Sequence, residues 1–224
     1  MGGMAALTVE IWSDVVCPWC YVGTRRFSAA LDRFDGDVDV SYRAFELDPT
    51  VPPGGIDLAE YLARKFGSPA ALDGVRGRLA RVGAEVGIDF RWGGQRRVNT
   101  FDAHRLAVWA EEAGGPGARA ALEQRLFRAY FTDNDDVSDH AVLSGLAADV
   151  DLDPAAAAEA LATGAGADRV RAEEAQATEL GISAVPTFVI EGRWSIPGAQ
   201  DVDTFVQVLQ RAAVRIVPLA ASED

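Results

Sequence analysis

The only two cysteines of the chain, Cys17 and Cys20, lie where a strand pattern gives way to a helical one. Before them, residues 7–11 alternate between apolar and polar side chains, which predicts a short, half-buried strand. After them, apolar residues recur at helical spacing over residues 27–34. Pro18 suits the first position of a helix. The sequence therefore predicts a strand that leads directly into a helix, with the cysteine pair at the helix N-terminus.

Two further strand patterns frame a long helical block. Residues 38–44 alternate and follow the first helix, which predicts a βαβ unit with a parallel strand pair. Residues 187–190 form an unbroken apolar run typical of a buried central strand, and a turn at residues 191–193 predicts a hairpin. A last helix is predicted around residues 205–212.

This order of elements predicts an α/β thioredoxin fold (βαβ–ββα) with a large all-helical insertion. Nearly all the readable periodicity between residues 57 and 166 is helical. We expect residues 1–56 and 167–224 to form a discontinuous thioredoxin-like domain and residues 57–166 to form the helical insertion domain.

Charge and composition exclude several partners. The formal net charge of -13 opposes binding to nucleic acid and to anionic lipid. No window reaches the roughly 20 apolar residues of a membrane span. The N-terminal residues 1–7 lack the pattern of a secretory signal, so we expect a cytoplasmic protein. Structural disulfides are rare in that compartment, so a close cysteine pair is expected to be reactive or metal-binding.

The position of the pair predicts thiol chemistry. A helix N-terminus favours an anion, so Cys17 is expected to be the thiolate nucleophile. Cys20 lies one turn further along the same face and is screened by the apolar stripe, so it is expected to resolve a mixed disulfide on Cys17. The spacing is also that of half a zinc site. However, the chain has no second cysteine pair, and its histidines, His104 and His140, are far apart, so we expect no metal.

A proline stands at the mouth of the predicted central strand. Pro186 follows Val185 there, where proline is tolerated at the first residue of a strand or at an edge. Such a bond is a candidate for the cis form, and an ordinary trans turn is the alternative.

Several motifs resemble the DsbA-like thioredoxin superfamily. These are the Cys17-Pro-Trp-Cys motif, residues 181–188 and the Pro-Gly-Ala-Gln segment at residues 197–200. The longer motifs at residues 17–23 and 99–106 are similar to the FrnE branch, whose members are cytoplasmic. The resemblance implies that Val185–Pro186 is the cis-proline loop facing the active site, with Cys17 as nucleophile and Cys20 as resolving thiol.

The same superfamily contains 2-hydroxychromene-2-carboxylate isomerases and kappa-type glutathione transferases, which carry serine in place of Cys17. That difference favours redox chemistry here. The family likeness suggests that His104 borders the active-site cleft, although a structural role is the alternative. Trp19 is expected to contact substrate, and His140 is expected to be exposed.

The leading hypothesis is a thiol-disulfide oxidoreductase that acts on a peptide or a small thiol or disulfide. It would need no cofactor beyond its own dithiol, and glutathione could be a partner. One alternative is a glutathione-dependent isomerase or transferase acting on an aromatic or polyketide-like molecule in a pocket roofed by the helical block. The other is a peptide-binding holdase.

Overall fold

The computed structural model describes residues 6–67, 69–93 and 96–216. Its strands are β1 (Leu7–Ser13), β2 (Val38–Ala44), β3 (Ile56–Asp57), β4 (Arg96–Arg97), β5 (Thr187–Ile190) and β6 (Trp194–Pro197). Its α-helices are α1 (Pro18–Leu31), α2 (Leu58–Phe66), α3 (Pro69–Glu85), α4 (Phe101–Gly114), α5 (Pro116–Arg128), α6 (His140–Ala148), α7 (Pro154–Thr163), α8 (Ala167–Glu179) and α9 (Val202–Ile216). A π-helical turn, Ala129–Asp133, continues α5.

The larger sheet has the strand order β2-β1-β5-β6. Strands β1 and β2 pair in parallel, from Leu7 opposite Val38 to Ser13 opposite Ala44. Strand β5 is antiparallel to both of its neighbours. All four residues of β5 are buried, because the strand lies inside the sheet and is covered on both faces. The predicted βαβ–ββα order, the parallel pair, the central strand and the hairpin are confirmed.

The stretch predicted as almost entirely helical is interrupted. Strands β3 and β4 pair antiparallel, with Ile56 opposite Arg97 and Asp57 opposite Arg96, and the described residues between α3 and β4 contain no helix. Two-residue strands are too short to produce a period, which is why the sequence pattern does not reveal them.

A buried ion pair joins helix α5 to helix α8, which in turn contacts the sheet. Arg119 of α5 is 1% exposed, and its two terminal nitrogens donate to the carboxylate oxygens of Glu173 in α8 at 2.9 and 2.8 Å. The same carboxylate accepts the N–H of Ala44 in β2 at 2.7 Å. The bidentate pair holds α5 against α8, and the hydrogen bond from Ala44 holds α8 against β2.

Two large apolar clusters form the core. One lies between α1, α9 and the sheet, and at its centre Phe27, Phe188 and Phe205 pack with ring centroids 4.6 to 5.2 Å apart. The other fills the helical block and includes both Cys17 and Cys20. The cysteine pair therefore lies where the helical block meets the sheet unit. Among the described residues, no helix combines the length and apolarity needed to cross a membrane.

Candidate active site

Cys17 is the residue that precedes helix α1, and its backbone is extended (φ -95°, ψ 111°). Pro18 takes the first helical position, where its missing N–H loses no helical hydrogen bond. The N–H of Cys17 donates to the carbonyl oxygen of Asp14 at 3.0 Å, and the N–H groups of Cys20 and Tyr21 donate to the carbonyl oxygen of Cys17 at 3.0 and 3.3 Å. This turn fixes the Cys17 side chain at the entrance of the helix, where the sequence pattern predicts it.

The two cysteine side chains are thiols in different electrostatic environments. Cys17 is 5% exposed and Cys20 is 0% exposed. A hydrogen bond from the Cys20 side chain lowers the pKa of the Cys17 thiol, against the opposing effect of burial, and the amides of Cys20 and Trp19 lower it further. Burial raises the pKa of the Cys20 thiol well above its usual value. Cys17 therefore ionises first, and its partner thiol contributes more to this than the helix amides on which the sequence argument rests.

The proline loop faces Cys17. The Val185–Pro186 peptide bond is cis, as the resemblance implies. The Sγ of Cys17 lies 3.6 Å from the carbonyl oxygen of Val185. The N–H of Gly198 donates to the carbonyl oxygen of Pro186 at 2.7 Å and ties the loop to the end of β6. Gly23 of α1 lies so close to this loop that a Cβ there would come within 3.0 Å of Pro186 Cγ.

A buried ion pair lies beneath the cysteine turn. Asp14 is 0% exposed, and its carboxylate accepts the N–H of Leu47 at 2.8 Å and that of Val16 at 3.3 Å. The Nε2 of His104 lies 3.7 Å from Asp14 Oδ1. Burial opposes ionisation of both groups, yet their mutual attraction leaves the pKa of Asp14 lowered and the pKa of His104 raised. The pair fixes the loop that carries Cys17.

Two further carboxyl groups lie near His104. Burial and a hydrogen bond with Glu174 raise the pKa of Glu46 to about 7. Glu123 is 0% exposed, and burial raises its pKa, because neither of its oxygens has a hydrogen-bond partner among the described residues. The charge of His104 lowers both pKa values. The protonation of His104 is thus coupled to several buried acids.

A cavity of about 270 Å³ opens beside Cys17. The helical block covers it, since α2 and α3 both contribute to its wall. The wall is mainly apolar and aromatic, and it includes Trp19, Tyr61, Trp92, Phe131 and Arg97. A concave apolar site with a few polar groups is the usual form of a small-molecule site.

The structure brings together most of the residues that the sequence singles out. One region contains the two cysteines, the residues between them and the proline loop, that is Cys17, Pro18, Trp19, Cys20, Val185 and Pro186. The first three of these residues also line the cavity. His104 does not line this cavity and is 0% exposed beneath the cysteine turn. His140 is exposed, as predicted, and its Nε2 lies 2.7 Å from Asp102.

Sequence reasoning missed Asp14 and Arg97. Asp14 could have been found, because an acidic residue between an apolar strand and a buried cysteine requires a partner. Arg97 carries no comparable signal, since it reaches the cavity only through the pairing of β3 with β4.

The chain belongs to the family of DSBA-like thioredoxin domains, whose family model matches residues 8–210. The DsbA-like thioredoxin fold predicted from the sequence is thereby confirmed. The particular relatives to which the chain is similar come from several bacteria.

A solved structure described as a probable DsbA oxidoreductase from Streptomyces coelicolor is 38% identical, with a TM-score of 0.87, and the match covers 95% of this chain and 92% of that one. The uncharacterized protein YwbO of Bacillus subtilis is 28% identical over 207 residues, which are 90% of this chain and 94% of that protein. The cytosolic disulfide reductase DsbM from Pseudomonas aeruginosa, solved with GSH, is 22% identical with a TM-score of 0.60, over 94% of this chain and 100% of that one.

Proposed function

We propose that the protein is a thiol-disulfide oxidoreductase that exchanges disulfides with peptides or small thiols through Cys17 and Cys20. One observation carries this proposal. The Cys17 thiol has a lowered pKa and lies 3.6 Å from the carbonyl of the residue before a cis-proline, with the fully buried Cys20 as its hydrogen-bond donor. The thiolate is the nucleophilic form of cysteine, and the two thiols have the separate ionisation that a nucleophile and a resolving thiol require.

The exchange proceeds in two balanced steps. The Cys17 thiolate attacks one sulfur of a substrate disulfide, so a bond forms between them, the substrate S–S bond breaks and a substrate thiolate leaves. Cys20 then loses its proton and attacks the Cys17 sulfur, which closes the Cys17–Cys20 disulfide and releases the second substrate thiolate. The substrate gains two electrons, the protein dithiol loses two, and the proton of Cys20 offsets one of the two released charges. The reverse sequence oxidises a substrate dithiol.

The cis-proline loop gives an extended substrate a place to pair. The backbone at Val185 borders the reacting sulfur, and Pro186 has no N–H that would compete for the thiolate. A peptide segment beside Val185 would make main-chain hydrogen bonds while its sulfur meets Cys17. Trp19, which is half-buried between the cysteines, would contact the substrate side chain.

Glutathione is the redox partner that we propose. Two molecules of glutathione would return the Cys17–Cys20 disulfide to the dithiol and leave as glutathione disulfide. The small opening at Cys17, which is 5% exposed, suits a small thiol. The similarity in fold to the cytosolic disulfide reductase DsbM solved with GSH supports this choice. It also supports the proposal that the protein works in the cytoplasm.

Reduction of insulin disulfides, with glutathione as the reductant, tests the proposal. The wild-type protein should catalyse this reduction, and Cys17→Ser should not. Reduced Cys20→Ser incubated with glutathione disulfide should complete only the first step and accumulate a mixed disulfide with one glutathione on Cys17, visible by mass spectrometry. Full turnover by Cys17→Ser would refute the assignment.

The cavity beside Cys17 favours a second candidate, a glutathione-dependent isomerase acting on an aromatic small molecule. In that case Cys17→Ser would retain activity toward the aromatic substrate. A peptide-binding holdase would still suppress aggregation after both cysteines are replaced, so the same variants separate these two functions from the first.

A further inference from the structure

Arg97 is a buried cation whose side chain has neither an ion-pair nor a hydrogen-bond partner in the part of the chain that the structure describes. Its side chain is 5% exposed, and its Nε has no hydrogen-bond acceptor among the described residues. No carboxylate in the described part of the chain lies within ion-pair distance of its guanidinium. Its guanidinium lies over the face of the Tyr61 ring, at 5.4 Å from the ring centroid. Arginine is rarely buried without a counter-charge, so this site is short of an anion.

The nearby acid Asp14 does not fill that role. The charge of Arg97 contributes to lowering the pKa of Asp14, so the two groups sense each other. However, the carboxylate of Asp14 is engaged by His104 and by the N–H groups of Val16 and Leu47. The hydrogen bonds of Asp14 are made with these backbone groups and not with Arg97.

Arg97 lines the same cavity as Cys17. A second arginine, Arg76, also lines it; its guanidinium carbon lies 5.9 Å from the centroid of the Trp92 ring, and its Nε has no hydrogen-bond partner among the described residues. Among the described residues that line this cavity, none is acidic, although the whole chain carries a net charge of -13. The cavity is thus a positive region on a negative protein, which attracts anions.

The rest of the cavity wall fits a flat apolar molecule. The cavity has a volume of about 270 Å³, which is larger than the roughly 150 Å³ cavity that holds a benzene ring and too small for a folded protein. The rings of Trp19, Trp92 and Phe131 line it. Aromatic faces favour stacking with another aromatic ring.

We propose that this cavity is a specificity site for small disulfides that carry a carboxylate on an aromatic or other apolar body. The carboxylate pairs with Arg97, the body lies against the aromatic wall, and the disulfide sulfur meets Cys17. This inference rests on the proposed function and names its substrate class. In the exchange, Cys17 bonds to the sulfur attached to the seated body, the substrate S–S bond breaks, and the other half leaves as a thiolate. Attack by Cys20 then releases the seated half as a thiolate and closes the protein disulfide.

Two aromatic disulfides that differ in charge provide the probe. One is 5,5′-dithiobis(2-nitrobenzoate), which carries a carboxylate on each ring, and the other is 4,4′-dithiodipyridine, which is uncharged at neutral pH. Stopped-flow absorbance gives the second-order rate constant of each with the reduced protein, and division by the rate with a free small thiol removes the intrinsic reactivity of the probe.

We expect the wild type to favour the carboxylate probe and Arg97→Met to lose that preference by about 10- to 100-fold, the range of a charge-assisted hydrogen bond. Arg97→Lys keeps the charge and should restore part of the preference. The matched control is Arg211→Gln, which removes one exposed positive charge from α9 and should change neither rate. An unchanged preference in Arg97→Met would overturn the inference.

Equal loss of both rates in Arg97→Met would mean that Arg97 acts on Cys17 itself, which would overturn the inference and leave the proposed function standing.

A second measurement needs no redox step. Cys17→Ala should bind 2-nitrobenzoate, followed by quenching of tryptophan fluorescence from Trp19 and Trp92, and the added substitution Arg97→Met should abolish that binding. Absence of binding in Cys17→Ala would also contradict the site, whereas binding without any disulfide exchange by the wild type would refute only the proposed function.

Discussion

Replacing Cys20 tests what keeps Cys17 ionised. The hydrogen bond from the Cys20 side chain contributes most to lowering the pKa of the Cys17 thiol. Cys20→Ala removes this donor, whereas Cys20→Ser keeps a hydroxyl that can donate in its place. We therefore expect the pKa of Cys17 to rise in Cys20→Ala and to remain closer to its wild-type value in Cys20→Ser.

The size of the effect follows from the energy of a hydrogen bond to a charged group. Such a bond contributes about 1.5–3 kcal/mol, which corresponds to a rise of about 1–2 pKa units. Well below the pKa, the thiolate fraction would fall about 10- to 100-fold, while the more basic thiolate gains roughly 3-fold in nucleophilicity per unit. The net expectation is alkylation of Cys17 that is about 3- to 10-fold slower in Cys20→Ala.

The assay is the rate of alkylation by iodoacetamide as a function of pH, read by mass spectrometry. Both variants contain Cys17 as their only thiol, so the signal needs no correction. Superimposable pH profiles for Cys20→Ala and Cys20→Ser would exclude the Cys20 hydrogen bond as the main cause of the lowered pKa of Cys17 and would leave the helix amides in that role.

Two stability predictions concern the support of the site. His104 has a raised pKa in the folded state, so its charged form adds stability that is complete below the unfolded pKa of about 6.5 and is lost as the pH rises through the folded value. In denaturant unfolding, His104→Gln should therefore cost about 3 kcal/mol at pH 5.5, because the Asp14 carboxylate loses its counter-charge, and this cost should fall as the pH is raised through the folded pKa of His104. A cost that does not change as the pH is raised would exclude the ion pair. Gly23→Ala should destabilise the protein by about 1 kcal/mol, because crowding against Pro186 at 3.0 Å outweighs the helical preference for alanine. A Cβ added at Gly145 meets nothing within 4 Å, so Gly145→Ala should instead stabilise the protein by about 1 kcal/mol. A gain of that size for both Gly23→Ala and Gly145→Ala would show that the Pro186 loop moves aside without cost.

The local pattern was sufficient to predict the sheet unit. The alternation in residues 7–11 and 38–44 and the apolar run at residues 187–190 are direct consequences of which strand faces are buried. Proline after Cys17 likewise predicts a helix start, because its fixed φ and missing N–H suit that position. These features depend on near neighbours in the chain, and the structure confirms them.

The surroundings of the cysteines depend on contacts between distant segments. Asp14 meets His104 across 90 positions of chain, and Arg97 reaches the cavity through a pair of two-residue strands. Contacts between segments so far apart in the chain leave no periodic pattern in the sequence. The sequence therefore predicted where the two cysteines lie but not the ion pair beneath them or the cation beside them.

The proposed function requires that Cys17 and Cys20 form one reversible dithiol-disulfide couple. The direct measurement equilibrates the wild-type protein in glutathione redox buffers of stepped ratio, traps free thiols with a maleimide and counts them by mass spectrometry. We expect both thiols to disappear together in a single two-electron transition that reverses fully and is absent from Cys17→Ser and Cys20→Ser. Two thiols that stay free across the whole range, or that each form only a separate mixed disulfide with glutathione, would contradict it.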